Sequence, residues 1–194
     1  MLMKEHMNLI LIRIYIFFPL LFLFTSSAAR GLQFFGNSYR VEERTSYTVF
    51  QKNLIPSFKN EVSIDFDLQI KEFNTFGYIF RLVDLNSKNV FSLVFTYKNN
   101  KESILQINLD GKTNYASVSF FNDSIRYRWI PVSLRLNIKE KSIKFIADSK
   151  INKVCNVGDF KDVICPNLYF GRDSFIVDVP SFALKNLRIG NKRS

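Results

Sequence analysis

Two aspartates and a glutamate close together in one segment are the first residues to consider for chemistry. Asp65, Asp67 and Glu72 are spaced i, i+2 and i+7. Retaining hydrolysis of a glycosidic bond needs two carboxyl groups about 5 Å apart. Successive strand residues point to opposite faces, so Asp65 and Asp67 share a face and Glu72 falls on the other. The spacing predicts carboxylates on a solvated strand face and leaves a catalytic pair as the alternative.

The only histidine in the chain is His6, which lies in the N-terminal segment that we predict below to be a cleaved signal peptide. The mature protein is therefore expected to lack the central residue of histidine-dependent catalysis. Ser-His-Asp and Cys-His arrangements use histidine as the general base. A zinc site needs four Cys, His, Asp or Glu ligands in suitable spacing, which Cys155 and Cys165 do not supply. The glycines stand singly, so there is no Gly-rich phosphate loop. We therefore expect a protein that is not an enzyme and has no cofactor.

The N-terminal residues have the pattern of a secretory signal peptide. Lys4 and Arg13 supply positive charge, residues 14–24 form an apolar run, and small residues up to Ala29 suit cleavage. A membrane-spanning helix needs about 20 apolar residues, and this run is shorter. We predict residues 1–29 as a signal peptide of a secreted, periplasmic or cell-surface protein. An uncleaved anchor or a buried hydrophobic segment is the alternative.

Residues 30–194 are then one domain, long enough to bury a core of its own and without a further membrane span. Removal of Lys4, Glu5 and Arg13 with the leader lowers the net charge from +10 to +9. A basic protein outside the cell meets acidic polysaccharide, anionic surfaces or nucleic acid. The positive residues are scattered, which favours solvated strand faces, and no basic arm or basic-aromatic repeat predicts nucleic-acid binding.

Cys155 and Cys165 are the only cysteines. The segment between them contains Gly158 and is predicted to be a loop between strands. Because the predicted compartment is oxidising, we expect a disulfide, which in the chain-entropy model stabilises the fold by about 2–3 kcal/mol. Two free buried thiols are the alternative.

Alternation of apolar and polar residues predicts strands along the whole domain. The clearest alternation covers residues 62–71, and it recurs in residues 76–83, 91–97, 105–109, 130–138 and 143–147. Short polar turn signals separate these segments, and no helical pattern of useful length is present. The pattern predicts an all-β protein, an antiparallel sandwich or barrel of about 12 strands.

The segment that begins at Trp129 resembles the signature hairpin of laminin G-like domains, which are concanavalin A-like jelly rolls. In that family a tryptophan opens a long apolar strand, and a second strand ends near an aspartate-containing turn. Here Trp129 precedes the apolar strand, and residues 144–147 lead to Asp148. The resemblance implies that Trp129 packs in the core. The usual Asp-Gly of the turn is Asp148-Ser149 in this chain.

Two further segments agree with this concanavalin A-like lectin and glucanase family. Residues 77–95 are similar to its early hairpin, and residues 168–172, with Gly171, followed by 182–189 are similar to its closing strands. The resemblance covers about residues 32–190 and implies a jelly-roll sandwich of two curved sheets.

The family also implies a set of functions. Its members bind carbohydrates, bind extracellular proteins or hydrolyse β-glucans. The hydrolases carry acidic residues at i, i+2 and i+4 or i+5 of one strand, a spacing that Asp65, Asp67 and Glu72 do not match. Calcium ligands of the family cannot be matched to residues here. We therefore predict a non-catalytic module that binds a poly- or oligosaccharide, with a protein-interaction, adhesion or sensory domain and a diverged polysaccharide hydrolase as alternatives.

Aromatic rings that stack on sugars are the remaining candidates. Tyr115, Phe121, Arg126 and Tyr127 are close in sequence and are candidate ligand-binding residues at loop tips. Packing beneath a loop is the alternative for this cluster. Asn122 begins the sequence Asn-Asp-Ser, a glycosylation signal in hosts that modify secreted proteins.

Overall fold

The computed structural model describes residues 31–50, 61–84, 88–109, 112–137, 139–154, 166–173 and 176–190. The described residues from Gly31 onward belong to one compact unit. The predicted leader and both cysteines, Cys155 and Cys165, lie outside the described residues. A search of the described part for a helix with the length and hydrophobicity of a membrane span finds none.

Twelve strands make up the described part of the chain, which confirms the predicted all-β class. In chain order they are β1 (Leu32–Phe34), β2 (Ser46–Thr48), β3 (Glu61–Ile70), β4 (Phe76–Asp84), β5 (Lys88–Asn99), β6 (Glu102–Leu109), β7 (Lys112–Phe121), β8 (Ile130–Asn137), β9 (Ser142–Ala147), β10 (Lys150–Val154), β11 (Pro166–Gly171) and β12 (Phe182–Gly190). Sheet 1 has the order β1-β12-β3-β8-β9-β10, and sheet 2 has the order β2-β11-β4-β5-β6-β7. Neighbouring strands are antiparallel throughout, as the alternation predicted. The two short helices of the described part are a 3-10 turn, Val41–Glu43, and one α-helical turn, Asn122–Ile125, where the sequence predicted a plain turn.

The core lies between the two sheets and is rich in phenylalanine. Alternate residues of β3, from Val62 to Ile70, face it, as the pattern predicted. The ring of Phe66 meets the rings of Phe80 and Phe170 edge-on, with centroids 6.0 and 5.6 Å apart. Edge-to-face pairs add about 0.5–1.5 kcal/mol to the burial of each ring. Because the inner positions are filled in this way, polar residues of the same strands lie on the outer faces of the sandwich.

Side chains of β10 close one side of the sandwich. Lys150 donates from Nζ to the Ser119 carbonyl at 2.6 Å, and Asn152 donates from Nδ2 to the Ser117 carbonyl at 3.1 Å. Both acceptors lie on β7, the edge strand of sheet 2. An exposed edge offers unpaired backbone groups to other chains, and these bonds occupy two carbonyl groups of the β7 edge.

Two positions of the predicted family signature, the end of β11 and the β9–β10 turn, have left-handed backbone. Gly171 has φ +72°, and a Cβ there would lie 2.4 Å from the Thr45 carbonyl oxygen and 2.6 Å from a Phe34 ring carbon. Asp148 and Ser149, between β9 and β10, have φ +49° and +66°. Two positive φ values suit a two-residue hairpin turn in which the second residue is usually glycine. This chain makes the same turn with serine in the glycine position.

Candidate functional site

A shallow groove opens on the outer face of sheet 1, on the side away from the core. Its volume is about 440 Å³. Pro131 and Ile146 supply apolar surface to it. Six polar side chains also line it: Asp65, Asp67, Ser133, Ser149, Asn186 and Arg188. The groove therefore combines carboxylate, hydroxyl, amide and guanidinium groups within one small volume.

Strand register brings these residues together from distant parts of the sequence. Asp65 of β3 lies between Ser133 of β8 and Arg188 of β12. Asp67 lies in the same way between Pro131 and Lys185. Directly opposite residues of antiparallel strands have Cβ atoms about 4.5–5.5 Å apart. Two adjacent rows of outward side chains thus form the groove.

A bulge in β12 adds the amide to the groove. The pairing of β12 with β3 shifts between Lys185 and Arg188, and Asn186 in the bulge has φ +56°. Asparagine adopts this left-handed backbone more readily than most residues. Its Nδ2 donates to Asp67 Oδ2 at 2.7 Å. Bulges commonly redirect a side chain next to a functional site, and this one directs an amide towards a carboxylate.

The other groups of the groove keep hydrogen-bonding capacity for a ligand. Among the described residues, neither Asp65 nor Arg188 forms a side-chain hydrogen bond or an ion pair within 4.0 Å. An ionised carboxylate accepts hydrogen bonds with both oxygens, and a guanidinium carries five N–H donors. Asp65 can therefore accept hydrogen bonds from ligand hydroxyl groups, and Arg188 can donate hydrogen bonds to ligand oxygen atoms.

Trp129, two residues before Pro131 of the groove, is half-buried and is not a core residue, so that prediction is wrong. Ile130, the first residue of β8, faces the core, and the alternation of the chain therefore turns the indole to the outer side. The Lys185 Nζ lies 4.4 Å from the centroid of the Trp129 ring. Next to it, Gln69 donates from Nε2 to the Tyr127 carbonyl at 2.8 Å and ties the following loop to β3.

The loop of residues 121–128 presents two of the predicted ligand-binding aromatics to solvent. Phe121 is 65% exposed and Tyr127 is 78% exposed, so neither packs beneath the loop. Arg126 instead folds back, with its guanidinium carbon 5.0 Å from the centroid of the Phe73 ring. Tyr115 belongs to β7, and its side chain lies outside the described part of the structure.

Asn122 holds this loop in place from inside. Only 2% of the residue is exposed. Its Oδ1 accepts from the Ser103 hydroxyl at 2.7 Å, and its Nδ2 donates to the Asn100 carbonyl at 3.3 Å. The asparagine of the glycosylation signal is therefore a buried structural residue in the folded domain.

The structure does not bring the three predicted carboxylates together. Asp65 and Asp67 line the groove, whereas Glu72 follows the end of β3 and accepts from the Ser181 backbone N–H at 3.3 Å. Among the described residues, no group of three His, Cys, Asp or Glu side chains is placed to hold a metal ion.

Sheet 2 also carries polar side chains, and several of them bond to one another. Arg81 of β4 forms a buried ion pair with Asp173. Asn167 donates to the Tyr169 hydroxyl at 2.8 Å, and Gln106 donates to Asn108 Oδ1 at 3.2 Å. The Asn167 Oδ1 and the Thr96 hydroxyl are buried without a hydrogen-bond partner in the described part of the chain. We take the groove on sheet 1 as the candidate site because its unengaged charged groups, Asp65 and Arg188, lie beside apolar surface in an open volume.

Comparisons with known proteins support the fold. No protein-family model matches the sequence, and no curated protein matches it. A heptameric pentraxin from Limulus polyphemus is 15% identical with a TM-score of 0.56, covering 85% of this chain and 71% of its own. An alginate lyase from Alteromonas sp. 272 is 8% identical with a TM-score of 0.53, covering 76% of this chain and 78% of its own. The binding domain of botulinum neurotoxin serotype D/C is 12% identical with a TM-score of 0.52, covering 84% of this chain and 44% of its own.

Pentraxin and alginate lyase are jelly-roll sandwiches of the concanavalin A-like type. At these identities the likeness establishes the two-sheet jelly-roll fold, which confirms the predicted architecture. It leaves the narrower laminin G-like assignment as a prediction.

Proposed function

We propose that this protein is a non-catalytic carbohydrate-binding module and that the groove on sheet 1 is its binding site. One observation carries the proposal. An open groove of about 440 Å³ contains the unengaged side chains of Asp65 and Arg188 beside the apolar surfaces of Pro131 and Ile146.

The chemistry of the groove suits a sugar ring. Each hydroxyl of a sugar is both a donor and an acceptor, so carboxylates, amides and guanidinium groups can all engage it. Asp65, Asp67 and Asn186 supply acceptors, and Arg188 supplies donors. The apolar side chains suit the C–H faces of the ring. A small number of placed polar groups on apolar surface is the usual make-up of a specific ligand site.

The neighbours add limited support. The alginate lyase acts on a polysaccharide, and the pentraxin and the neurotoxin domain share the same sandwich. Function depends on the site rather than the fold, so the groove and not the likeness supports the proposal.

We further propose a laminin G-like domain that reaches the outside of the cytoplasm through the leader of residues 1–29 and carries a Cys155–Cys165 disulfide. The support is the N-terminal pattern and the hairpin that begins at Trp129. The intact mass of the exported protein tests the leader, since cleavage after Ala28 or Ala29 predicts its N-terminus. Thiol alkylation with and without reductant tests the disulfide, because a disulfide leaves no thiol to alkylate before reduction.

The test of binding is a glycan and polysaccharide array probed with residues 30–194, in calcium and in chelator. Binding is expected to a defined glycan class. Asp65→Ala should weaken it by about tenfold or more, since a hydrogen bond to a charged group contributes about 1.5–3 kcal/mol. Asp178→Asn is the matched control, because its exposed carboxylate lies outside the groove. Absence of binding in both arms would reject the proposal.

A protein-interaction domain is the second candidate, favoured by one observation. Phe121 and Tyr127 are exposed aromatics on one anchored loop, and aromatic side chains are enriched at protein interfaces. A Phe121→Ser/Tyr127→Ser variant should then lose a protein partner and keep glycan binding. A diverged hydrolase is the third candidate, and an assay for new reducing ends on each bound glycan distinguishes it.

A further inference from the structure

Three positively charged residues occupy one register row of sheet 1, beside the groove. Arg135 of β8 is directly opposite Lys144 of β9, and Lys144 is directly opposite Lys153 of β10. We call these three positions the cationic row. Ser63 of β3 and Gly190 of β12 continue the row without charge.

The cationic row belongs to the outer face. Leu134 and Leu136, which flank Arg135, are buried in the core, as are Ile143 and Phe145 around Lys144. Alternation therefore turns Arg135 and Lys144 towards solvent, and Arg135 is exposed. Like charges directly opposite each other on neighbouring strands are destabilising. The strand register therefore keeps two positive charges, Arg135 and Lys144, opposite each other at a cost in stability.

No carboxylate relieves this repulsion within the described part of the chain. Neither Arg135 nor Lys144 forms a side-chain hydrogen bond or an ion pair there. In the two rows of the groove, by contrast, each carboxylate shares its row with a cation: Asp65 with Arg188, and Asp67 with Lys185. Several other surface cations of the described residues have carboxylate partners, namely Arg44, Lys98, Arg126 and Arg128.

The groove and the cationic row are neighbours along one strand. Ser133 lies in the groove, and Arg135 is two residues further along β8. At the rise of a strand this separation is about 7 Å. Ile146 and Ile151, the latter 63% exposed, lie in the same register row as Ser133, towards the β10 edge of the sheet. A chain of sugars lying along β8 would therefore contact the groove and then the cationic row, with this apolar strip to one side.

We propose that the ligand of this face is an acidic polysaccharide, whose carboxylate or sulfate groups bind Arg135 and Lys144 of the cationic row while neighbouring hydroxyls bind the groove. The inference rests on the proposed carbohydrate binding and specifies its ligand class. Guanidinium and ammonium groups without internal partners bind such anions through charge-assisted hydrogen bonds. The positive net charge, +10 for the full chain and +9 without residues 1–29, favours the approach of an acidic polymer.

The test compares three polymers of equal length: dextran, carboxymethyl-dextran and dextran sulfate. The protein is expressed from its full coding sequence and used in the form that the host exports. The two acidic polymers are expected to bind at least tenfold more tightly than dextran, and added salt should reduce that difference. The variant Arg135→Gln/Lys144→Gln should lose most of the difference.

The matched control is Lys98→Gln/Lys101→Gln, which removes the same number of charges from the end of β5 and from the β5–β6 turn on sheet 2. Its affinity for the acidic polymers should change less than twofold. A thermal melt provides an independent readout, because removing the opposed cations should leave the melting temperature unchanged or raise it. A lower melting temperature of the row variant would instead indicate a purely structural role for these residues.

Four results would overturn the inference. Equal losses in the row variant and the control would indicate a general charge effect. Dextran bound as tightly as its acidic derivatives would remove the acidic class and leave carbohydrate binding intact, whereas failure of every glycan and polymer would remove both. Row-dependent binding to vesicles of anionic phospholipid, with no polymer binding, would assign the row to a membrane surface instead.

Discussion

Asn122 offers the most specific test of how the aromatic loop is held. Its side chain is buried and joins Ser103 on β6 to the Asn100 carbonyl in the β5–β6 turn. Its backbone N–H also donates to the Lys101 carbonyl at 2.7 Å. The substitution Asn122→Ala removes both side-chain hydrogen bonds and leaves the backbone bond in place. The predicted effect is therefore a loss of stability that is due to the amide alone.

The size of the expected loss of stability follows from the groups that the Asn122 side-chain amide would leave without hydrogen-bond partners. Each neutral hydrogen bond contributes about 1 kcal/mol net, and a buried group left without a partner costs about 1–3 kcal/mol. Ser103 is 0% exposed, so no water replaces its lost acceptor. We expect Asn122→Ala to lower the free energy of unfolding by about 2–4 kcal/mol. At about 2–4 °C per kcal/mol for a domain of this size, the melting temperature falls by roughly 5–15 °C.

A double-mutant cycle in urea isolates this contribution. Ser103→Ala removes the hydroxyl that Asn122→Ala would leave unpaired, so the double variant should cost about 1–2 kcal/mol less than the sum of the single variants. The midpoint should move while the slope of the transition stays constant. Additive costs, or a cost below about 0.5 kcal/mol for Asn122→Ala, would refute the proposed network.

Four further predictions concern two left-handed backbone positions and the groove. Ser149→Gly should raise the free energy of unfolding by about 0.5–1 kcal/mol in urea, because glycine removes the strain of the left-handed backbone; a loss of stability would contradict this. Gly171→Ala should lower the free energy of unfolding by more than about 2 kcal/mol, because the new methyl group would meet the Thr45 carbonyl and alanine would have to adopt an unfavourable φ. A neutral variant would show that the backbone at the end of β11 relaxes. Trp129 is the only tryptophan, so a glycan bound in the groove should change the tryptophan emission. Lys185→Met should alter that emission in the free protein and lower stability by about 0.5–1 kcal/mol, and an unchanged spectrum would place the ammonium away from the ring.

Alternation along the chain was sufficient to predict the fold class. The predicted strand over residues 62–71 corresponds to β3, Glu61–Ile70, and its apolar residues face the core. This succeeds because the two-residue period of a strand is a local property of the backbone. The short strands β1 and β2 have only three residues each, too few for a period to be recognised.

Trp129 shows where a family pattern was less reliable than local periodicity. The resemblance placed it in the core, whereas Ile130 and Val132 set the phase of β8 and turn the preceding residue outward. The sequence contained this signal, since a one-residue offset moves a side chain to the opposite face.

The sequence by itself determined that the chain is all-β, with alternating strands whose polar residues lie on one face. It also singled out Asp65 and Asp67 as neighbours on one face. Only the tertiary structure decided what lies beside them, because strand order and register bring in Arg188 from β12 and Ser133 from β8. The same register opposes Arg135 to Lys144. Alternation is fixed by bonds between adjacent residues, whereas register is fixed by packing across the sheet, which no local pattern specifies.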